Sequence, residues 1–259
     1  IPNLKLIATR STGFDHIDTE HAKQKGIEVK NVPFYGENTV AEHTFALILS
    51  LSRNVHKSYA RSLRNDFSIN GLMGFDLKGK TLGIIGGGHI GQHVIRIAKG
   101  FGMEVLVFDL NQDNFLSEVL DYKYVDFETL LKESDIISLH VPYNKHTHHL
   151  INLDNIVHLK RGAILINTSR GGVVDIDALI TALDSGILAG AGLDVLEGEE
   201  LIQEEQELLT NKQNPEKIAK LIKDHILIKK DNVVFTPHIA FYSREALQRI
   251  LDTTIENVS

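Results

Sequence analysis

The stretch from Thr81 to Asp109 constrains what this chain can fold into more than any other. The apolar run Thr81-Leu82-Gly83-Ile84-Ile85 enters Gly86-Gly87-Gly88-His89-Ile90-Gly91, and Gln92 to Phe101 reads as a helix. Gly86, Gly88 and Gly91 have the G-x-G-x-x-G spacing. Between a strand and a helix, each glycine has a mechanical reason. The first permits a tight turn, the second lets backbone approach a pyrophosphate, and the third packs helix closely on strand, with phosphate at the positive helix end. His89 and Ile90 lie inside the turn and join the glycines as cofactor-contact candidates. A second strand, Glu104 to Phe108, ends at Asp109, near the separation expected for the acid that accepts hydrogen bonds from the adenosine ribose hydroxyls. Leu110 and Asn111 supply no cation for a 2′-phosphate, so the sequence predicts NAD over NADP. The weaker alternative is a glycine turn that only packs a helix.

The rhythm of buried strand and helix continues through Ile136 to Val141, Ala163 to Asn167, Ala189 to Val195 and Val233 to Thr236. Apolar runs without strict alternation suit a parallel sheet covered on both faces, which predicts a doubly wound α/β domain of Rossmann type. Upstream, Leu4 to Ala8 suggests a strand that closes on the turn Ser11-Thr12-Gly13, and this first stretch reads as the end of another domain. Thr39-Val40-Ala41-Glu42 has capping-box form, and Phe45, Leu47, Ile48, Leu51 and Val55 extend it into one long helix, an interdomain link or a dimer seam. Asn65 to Lys80 reads as a connection, and the charged stretch Glu197 to Lys230 as a solvated, helical insertion.

Composition narrows the function classes. With 259 residues the chain can form one large domain or two unequal ones. A net charge of -7 without a Lys/Arg stripe argues against nucleic-acid binding. No apolar run reaches the roughly eighteen residues a membrane span needs, and no signal-like pattern opens the chain. The absence of cysteine excludes disulfides, thiolate catalysis and Cys-based metal sites, and fits a reducing cytoplasm. His146-Thr147-His148-His149 has no acidic or Cys ligand beside it and reads as a solvated loop, so no metal site is predicted. The start at Ile1-Pro2 and the end at Ser259, inside a helical pattern, suggest an internal segment of a longer protein.

Three residues on separate segments suit hydride chemistry on a keto acid, which needs a cation for the carboxylate and carbonyl, a proton donor and a group that tunes it. Arg170 follows the strand in Ile166-Asn167-Thr168-Ser169-Arg170-Gly171-Gly172, and its planar fork can grip carboxylate oxygens. His238, in Thr236-Pro237-His238, can give or take a proton near neutral pH. Glu199 follows Leu193-Asp194-Val195-Leu196-Glu197-Gly198. Spacing alone does not decide between these roles and an exposed arginine, a structural histidine and a solvated acid.

Arg10 to Asp18, Asn31 to His43, the glycine loop with Thr168 to Gly172, and Thr236 to Ser243 together resemble the NAD-dependent D-2-hydroxyacid dehydrogenases, over almost the whole chain. The resemblance implies that Arg170 binds substrate carboxylate and carbonyl, that His238 is the acid/base and that Glu199 is its partner. The stretch before His238 is longer than the family pattern, so Glu197 and Glu200 stay open as alternatives. Thr12 and Gly13 would hold the substrate carboxylate through backbone N–H groups, and Pro142, Thr168 and Asp194 would join the cofactor contacts. Ala240-Phe241-Tyr242-Ser243 is closer to the D-lactate dehydrogenase branch, with Phe241 and Tyr35 shaping a methyl-sized pocket. A glyoxylate/hydroxypyruvate or 3-phosphoglycerate dehydrogenase, or an NADH-sensing binding protein, is the alternative. The implied organisation is an incomplete flavodoxin-like substrate domain at 1–37, the NAD-binding domain at 38–238 with the interdomain helix, and a return at 239–259. The implied assembly is a homodimer. A segment without the family's amino-terminal elements can bind cofactor and yet be inactive in isolation.

Overall fold

A computed structural model describes residues 3–14, 16–199 and 215–259, with side chains in the last stretch from 221 onward. Two parallel strands, β1 (Leu6–Ala8) and β2 (Glu28–Lys30), flank α1 (Thr19–Gln24), whose first turn is capped by Asp18 accepting from the His21 N–H at 2.8 Å. Helices α2 (Glu37–Ser52) and α3 (Val55–Ser62) follow. The chain then builds β3 (Thr81–Ile85), α4 (His89–Gly100), β4 (Glu104–Phe108), α5 (Asn114–Leu120), β5 (Lys123–Tyr124), α6 (Phe127–Glu133) and β6 (Ile136–Leu139). It finishes with β7 (Ala163–Asn167), α7 (Ile176–Asp184), β8 (Leu188–Leu193), α8 (Pro215–Ile228), β9 (Val233–Phe235) and α9 (Arg244–Val258). No helix among the described residues is long and apolar enough to cross a membrane.

Strands β3 to β9 form one parallel sheet in the order β5-β4-β3-β6-β7-β8-β9. The chain starts at β3, works outward to β5, then crosses back to β6 and works outward to β9. Strands β3 and β6 therefore send their following loops to opposite faces, which opens a crevice at their carboxyl ends, the place where such sheets bind ligands. Apolar side chains alternate between two cores because successive strand residues point to opposite faces. Leu82, Ile84, Val105, Val107, Ile136, Ile164 and Ile166 meet α2 and α4 on one face. Ile85, Ile137, Leu139, Leu165, Ala191 and Leu193 meet α6 and α7 on the other. Both faces are covered, so the strands carry continuous apolar runs.

Several expected boundaries differ; β8, for example, runs Leu188–Leu193 rather than Ala189 to Val195. Helix α2 begins at Glu37, with Gly36 rather than Thr39 at its cap. The Thr39 hydroxyl turns instead toward Ser243 and Arg249, each at 3.4 Å, and so ties α2 to α9. The long helix also stops at Ser52. Asn54 takes a left-handed conformation (φ 51°), its amide donates to the Met73 carbonyl at 3.2 Å, and Val55 starts a new helix. Strand β6 ends at Leu139, two residues before Val141, as the chain turns toward Pro142, which has no N–H for a ladder. Of the expected insertion, residues 215–228 are helical and 200–214 lie outside the described residues.

Helix α9 returns to the small sheet. The Asn257 amide donates to the Asn31 carbonyl at 2.8 Å, and Lys30 donates to the Asn257 carbonyl at 3.2 Å. The Arg249 Nε donates to the Tyr35 carbonyl at 2.7 Å, which fixes the segment that leads into α2.

Candidate active site

All seven strands of the large sheet are parallel, so their carboxyl ends line one edge, and the candidate site is assembled there. At the centre, the Gly86 N–H donates to the Phe108 carbonyl at 2.9 Å, joining the glycine turn to the second strand. Gly86 sits at φ +100°, where a side chain is strained, and a Cβ there would lie 2.7 Å from the His140 carbonyl oxygen. Gly91 packs its Cα against the Gly86 carbonyl, while a Cβ on Gly88 would meet nothing within 4 Å. The turn is thus closed on the sheet side and open toward the crevice, with the first N–H groups of α4, from His89, Ile90 and Gly91, at the opening.

Asp109 closes the turn from the side. One carboxylate oxygen accepts from the Gly87 N–H at 2.7 Å and the other from the Asn111 N–H at 2.8 Å. This half-buried acid, with Leu110 and Asn111 beside it, fits a dinucleotide whose ribose hydroxyls are free. Pro142 is exposed just beyond β6. Thr168, buried at the end of β7, shares a 3.1 Å hydrogen bond with Thr44 of α2, whose hydroxyl donates to the Val40 carbonyl at 2.9 Å.

Arg170 follows β7 on a turn organised by Asn167. The Asn167 Oδ1 accepts from the Ser169 N–H (3.0 Å) and hydroxyl (2.8 Å), and its Nδ2 donates to the Arg170 carbonyl at 2.9 Å. The guanidinium is half-buried and donates to the Ser169 carbonyl at 2.8 Å.

His238 follows β9 in a left-handed conformation (φ 52°) held by its N–H donating to the Asp194 carbonyl at 2.8 Å. Its Nδ1 meets Glu199 Oε1 at 2.6 Å, while Glu199 Oε2 accepts from the Leu196 N–H at 3.2 Å. The hydrogen bond that His238 donates to Glu199 raises the His238 pKa above its ordinary value, and burial opposes it. The charges of Glu199 and Asp194 add to the rise, and the nearby Arg170 guanidinium works against it. The structure thus pairs His238 with Glu199 across the loops after β9 and β8, and Arg170, on the loop after β7, lies near enough for its charge to act on His238. Of the alternatives for the acid, Glu197 faces His149 instead, at 3.1 Å, and Glu200 lies outside the described residues.

Asp194, expected among the cofactor contacts, is fully buried. Its carboxylate accepts from the Thr236 hydroxyl (2.5 Å), the Ile239 N–H (3.0 Å) and the Ala240 N–H (2.8 Å). Burial pushes its pKa up, but hydrogen bonds from His43, Thr236, Ala240 and Ile239 outweigh it and leave the pKa below the usual value. In this geometry Asp194 shapes the loop that presents His238. His43 completes that arrangement, with Nε2 2.9 Å from the Thr236 hydroxyl and 3.4 Å from Asp194. Sequence reasoning missed His43 and Asn167. The only local signal is that Asn167 ends an apolar strand as a polar residue, and nothing local marks His43.

On the substrate side, Phe241 lies edge-to-face with His238 (centroids 6.3 Å) and with Tyr35 (6.1 Å). Thr12 and Gly13 sit on the loop after β1, where the Thr12 hydroxyl donates to the Val32 carbonyl at 3.1 Å and the Ser11 hydroxyl to the Gly13 carbonyl at 2.6 Å. Phe34, exposed on the small unit, reaches His89 of the glycine turn edge-to-face at 5.4 Å.

A glycine turn opening onto an acid-tipped strand, beside a histidine paired with a carboxylate, defines a nicotinamide-dependent oxidoreductase of the doubly wound class. Comparison with known proteins specifies the family. Residues 45–240 match the family model described as "D-isomer specific 2-hydroxyacid dehydrogenase, NAD binding domain". The chain is 39% identical to the D-lactate dehydrogenase of Escherichia coli, over 99% of this chain and 75% of that protein. It is 42% identical to the glyoxylate reductase of Thermococcus litoralis, over 99% of this chain and 73% of that one. Among solved structures, the D-lactate dehydrogenase of Aquifex aeolicus, complexed with NAD and lactic acid, superposes with a TM-score of 0.90 at 45% identity, covering 99% of this chain and 76% of that one. This chain belongs to the D-isomer-specific 2-hydroxyacid dehydrogenase family. It carries that family's NAD-binding domain, and the family's enzymes are oxidoreductases acting on CH–OH groups.

Proposed function

We propose that this protein reduces a small 2-keto acid to the D-2-hydroxy acid, with pyruvate to D-lactate as its reaction. The observation that carries this reading is the 2.6 Å pair of His238 Nδ1 and Glu199 at the mouth of the sheet, with Arg170 within electrostatic reach. Bound NADH supplies the hydride. Arg170 neutralises the substrate carboxylate and polarises its carbonyl. His238, kept protonated by Glu199, delivers from Nε2 the proton that the carbonyl oxygen requires on becoming a hydroxyl. Backbone N–H groups around Thr12 and Gly13 hold the carboxylate from the other side. Phe241 and Tyr35 wall the pocket with apolar surface suited to a methyl group. Gly86, Gly88, His89, Ile90, Gly91, Asp109, Pro142 and Thr168 line the cofactor side, and Asp194 positions His238 from behind.

In this reading residues 1–37 are part of the substrate domain, 38–238 the NAD-binding domain and 239–259 the return to the former. The protein works as a homodimer in the cytoplasm. The exposed apolar side chains Tyr59, Leu63, Phe67, Ile69 and Met73, on α3 and the connection after it, support the dimer. A second reading, a glyoxylate/hydroxypyruvate reductase, is favoured by the identity to the Thermococcus glyoxylate reductase. NADH oxidation with pyruvate, hydroxypyruvate and glyoxylate in parallel separates the two. A higher kcat/KM for pyruvate is expected, and a higher value for either of the others overturns the substrate assignment.

A further inference from the structure

The loop after β6 carries a group of side chains that the reaction does not use. His148 and His149 stack with ring centroids 3.9 Å apart and planes 23° from parallel. Glu197 comes to them from the loop after β8, with His149 Nε2 3.1 Å from its Oε2. One ligand atom from each of His148, His149 and Glu197 lies within 4.8 Å of the other two. The acid missing from the sequence around His146 to His149 is thus supplied from 48 residues further along the chain.

The surroundings hold these groups in place. The Tyr143 hydroxyl lies 3.1 Å from His148 Nδ1, and in the tautomer in which it accepts from Nδ1–H the ring keeps its lone pair on Nε2. Tyr143 has room because Gly172 has no side chain: a Cβ there would lie 2.7 Å from the Tyr143 ring. His149 is held in a left-handed conformation (φ 47°) by its N–H donating to the Gly172 carbonyl at 2.9 Å and by the Asn152 amide donating to the His149 carbonyl at 3.0 Å. A histidine in that backbone region is uncommon, and two hydrogen bonds are spent on keeping it there.

We propose that His148, His149 and Glu197 form a binding site for a divalent transition cation of the zinc class. Two imidazoles and a carboxylate are the donor set of three-ligand zinc sites, which leave a fourth position for water. Two ligand atoms on a tetrahedral zinc lie about 3.3 Å apart, given bonds of about 2.0–2.1 Å. The observed 3.1 Å between His149 and Glu197 already matches one edge of that tetrahedron. The cation replaces the proton shared across this contact, and rotation of the exposed His148 ring closes the remaining gap. The site ties the loop after β6 to the turn that presents Glu199, two residues beyond Glu197, and it does so whatever substrate the enzyme takes.

The test uses the whole protein stripped with chelator and then dialysed. Zn²⁺ is titrated by calorimetry and Co²⁺ by visible absorption, with thermal unfolding followed in parallel. The site predicts one saturable equivalent, cobalt bands of a low-symmetry complex and a rise in Tm on adding Zn²⁺. His148→Gln and Glu197→Gln should each weaken Zn²⁺ binding by about tenfold or more, with His146→Gln as an unaffected control. His148 is exposed, so its variant keeps the fold and remains informative even if Glu197→Gln is unstable. No saturable binding, or binding unchanged in His148→Gln, overturns the proposal; the second result would mean that other histidines hold the ion.

Discussion

Glu199→Gln separates a carboxylate that tunes the proton donor from one that merely stands nearby. Glutamine keeps an acceptor for His238 Nδ1 but removes the charge across the 2.6 Å contact. A hydrogen bond to a charged partner contributes about 1.5–3 kcal/mol against about 0.5–1.5 for a neutral one. The imidazole side chain is 42% exposed, so the smaller differences apply, about 1–1.5 kcal/mol. At about 1.36 kcal/mol per decade, keto-acid reduction should slow roughly 5- to 13-fold. The pH profile adds an independent sign. Reduction uses the imidazolium, so kcat/KM is full below the His238 pKa and falls as pH rises through it. Glu199 raises that pKa, so the falling limb of the wild type lies above the ordinary histidine value and that of the variant moves to lower pH. Oxidation of the hydroxy acid uses the neutral ring, so its rising limb should move the same way. Steady-state NADH oxidation across pH measures both effects. A variant within about twofold of wild type, with an unmoved limb, would refute the pairing.

Further outcomes follow from the same geometry. Arg170→Gln should lower kcat/KM for the keto acid by about a hundredfold, two charged hydrogen bonds being lost, and leave NADH affinity unchanged; normal keto-acid kinetics would remove Arg170 from the site. Asp109→Ala should raise the preference for NADPH relative to NADH by about tenfold or more, measured as the ratio of kcat/KM values, and an unchanged ratio would detach Asp109 from the ribose. Asp194→Asn puts an amide among the donors of His43, Thr236, Ile239 and Ala240 and should cost about 1–3 kcal/mol in denaturant unfolding at neutral pH. The Asp194 pKa is depressed in the fold, so its contribution is present above the ordinary carboxylate value and lost as pH falls through the folded pKa. The cost of Asp194→Asn should therefore shrink on acidification, and a cost independent of pH would contradict this.

The sheet was legible because its signals are local. Apolar runs such as Ala163–Ile166 announce a strand buried on both faces, and the spacing of Gly86, Gly88 and Gly91 announces a turn that excludes a side chain at Gly86 and Gly91. Short elements without such a run escaped: β2 and β5 are three and two residues long, and Lys123–Tyr124 has no buried side chain. The capping box at Thr39 misled because Glu37 and Asn38 extend the helix upstream, and the threonine hydroxyl is recruited by α9, some two hundred residues away. Val55 misled because its spacing continues the period of α2, while Asn54 breaks the backbone between them. At the site, the residue types at Arg170 and His238 could be read from strand ends, but their grouping could not. The contacts from His238 to Glu199, from His43 to Thr236 and from His149 to Glu197 span 39, 193 and 48 residues, and only the sheet order brings them together.

The most direct measurement replaces the proton donor and reads chemistry and cofactor binding separately. Asparagine suits position 238, since it tolerates the left-handed backbone that His238 adopts there but cannot give up a proton as an acid. With His238→Asn, NADH titration by fluorescence should give the wild-type dissociation constant, while pyruvate-dependent NADH oxidation falls by at least about a hundredfold. Turnover at the wild-type rate, with the cofactor still bound, would contradict the account at its centre.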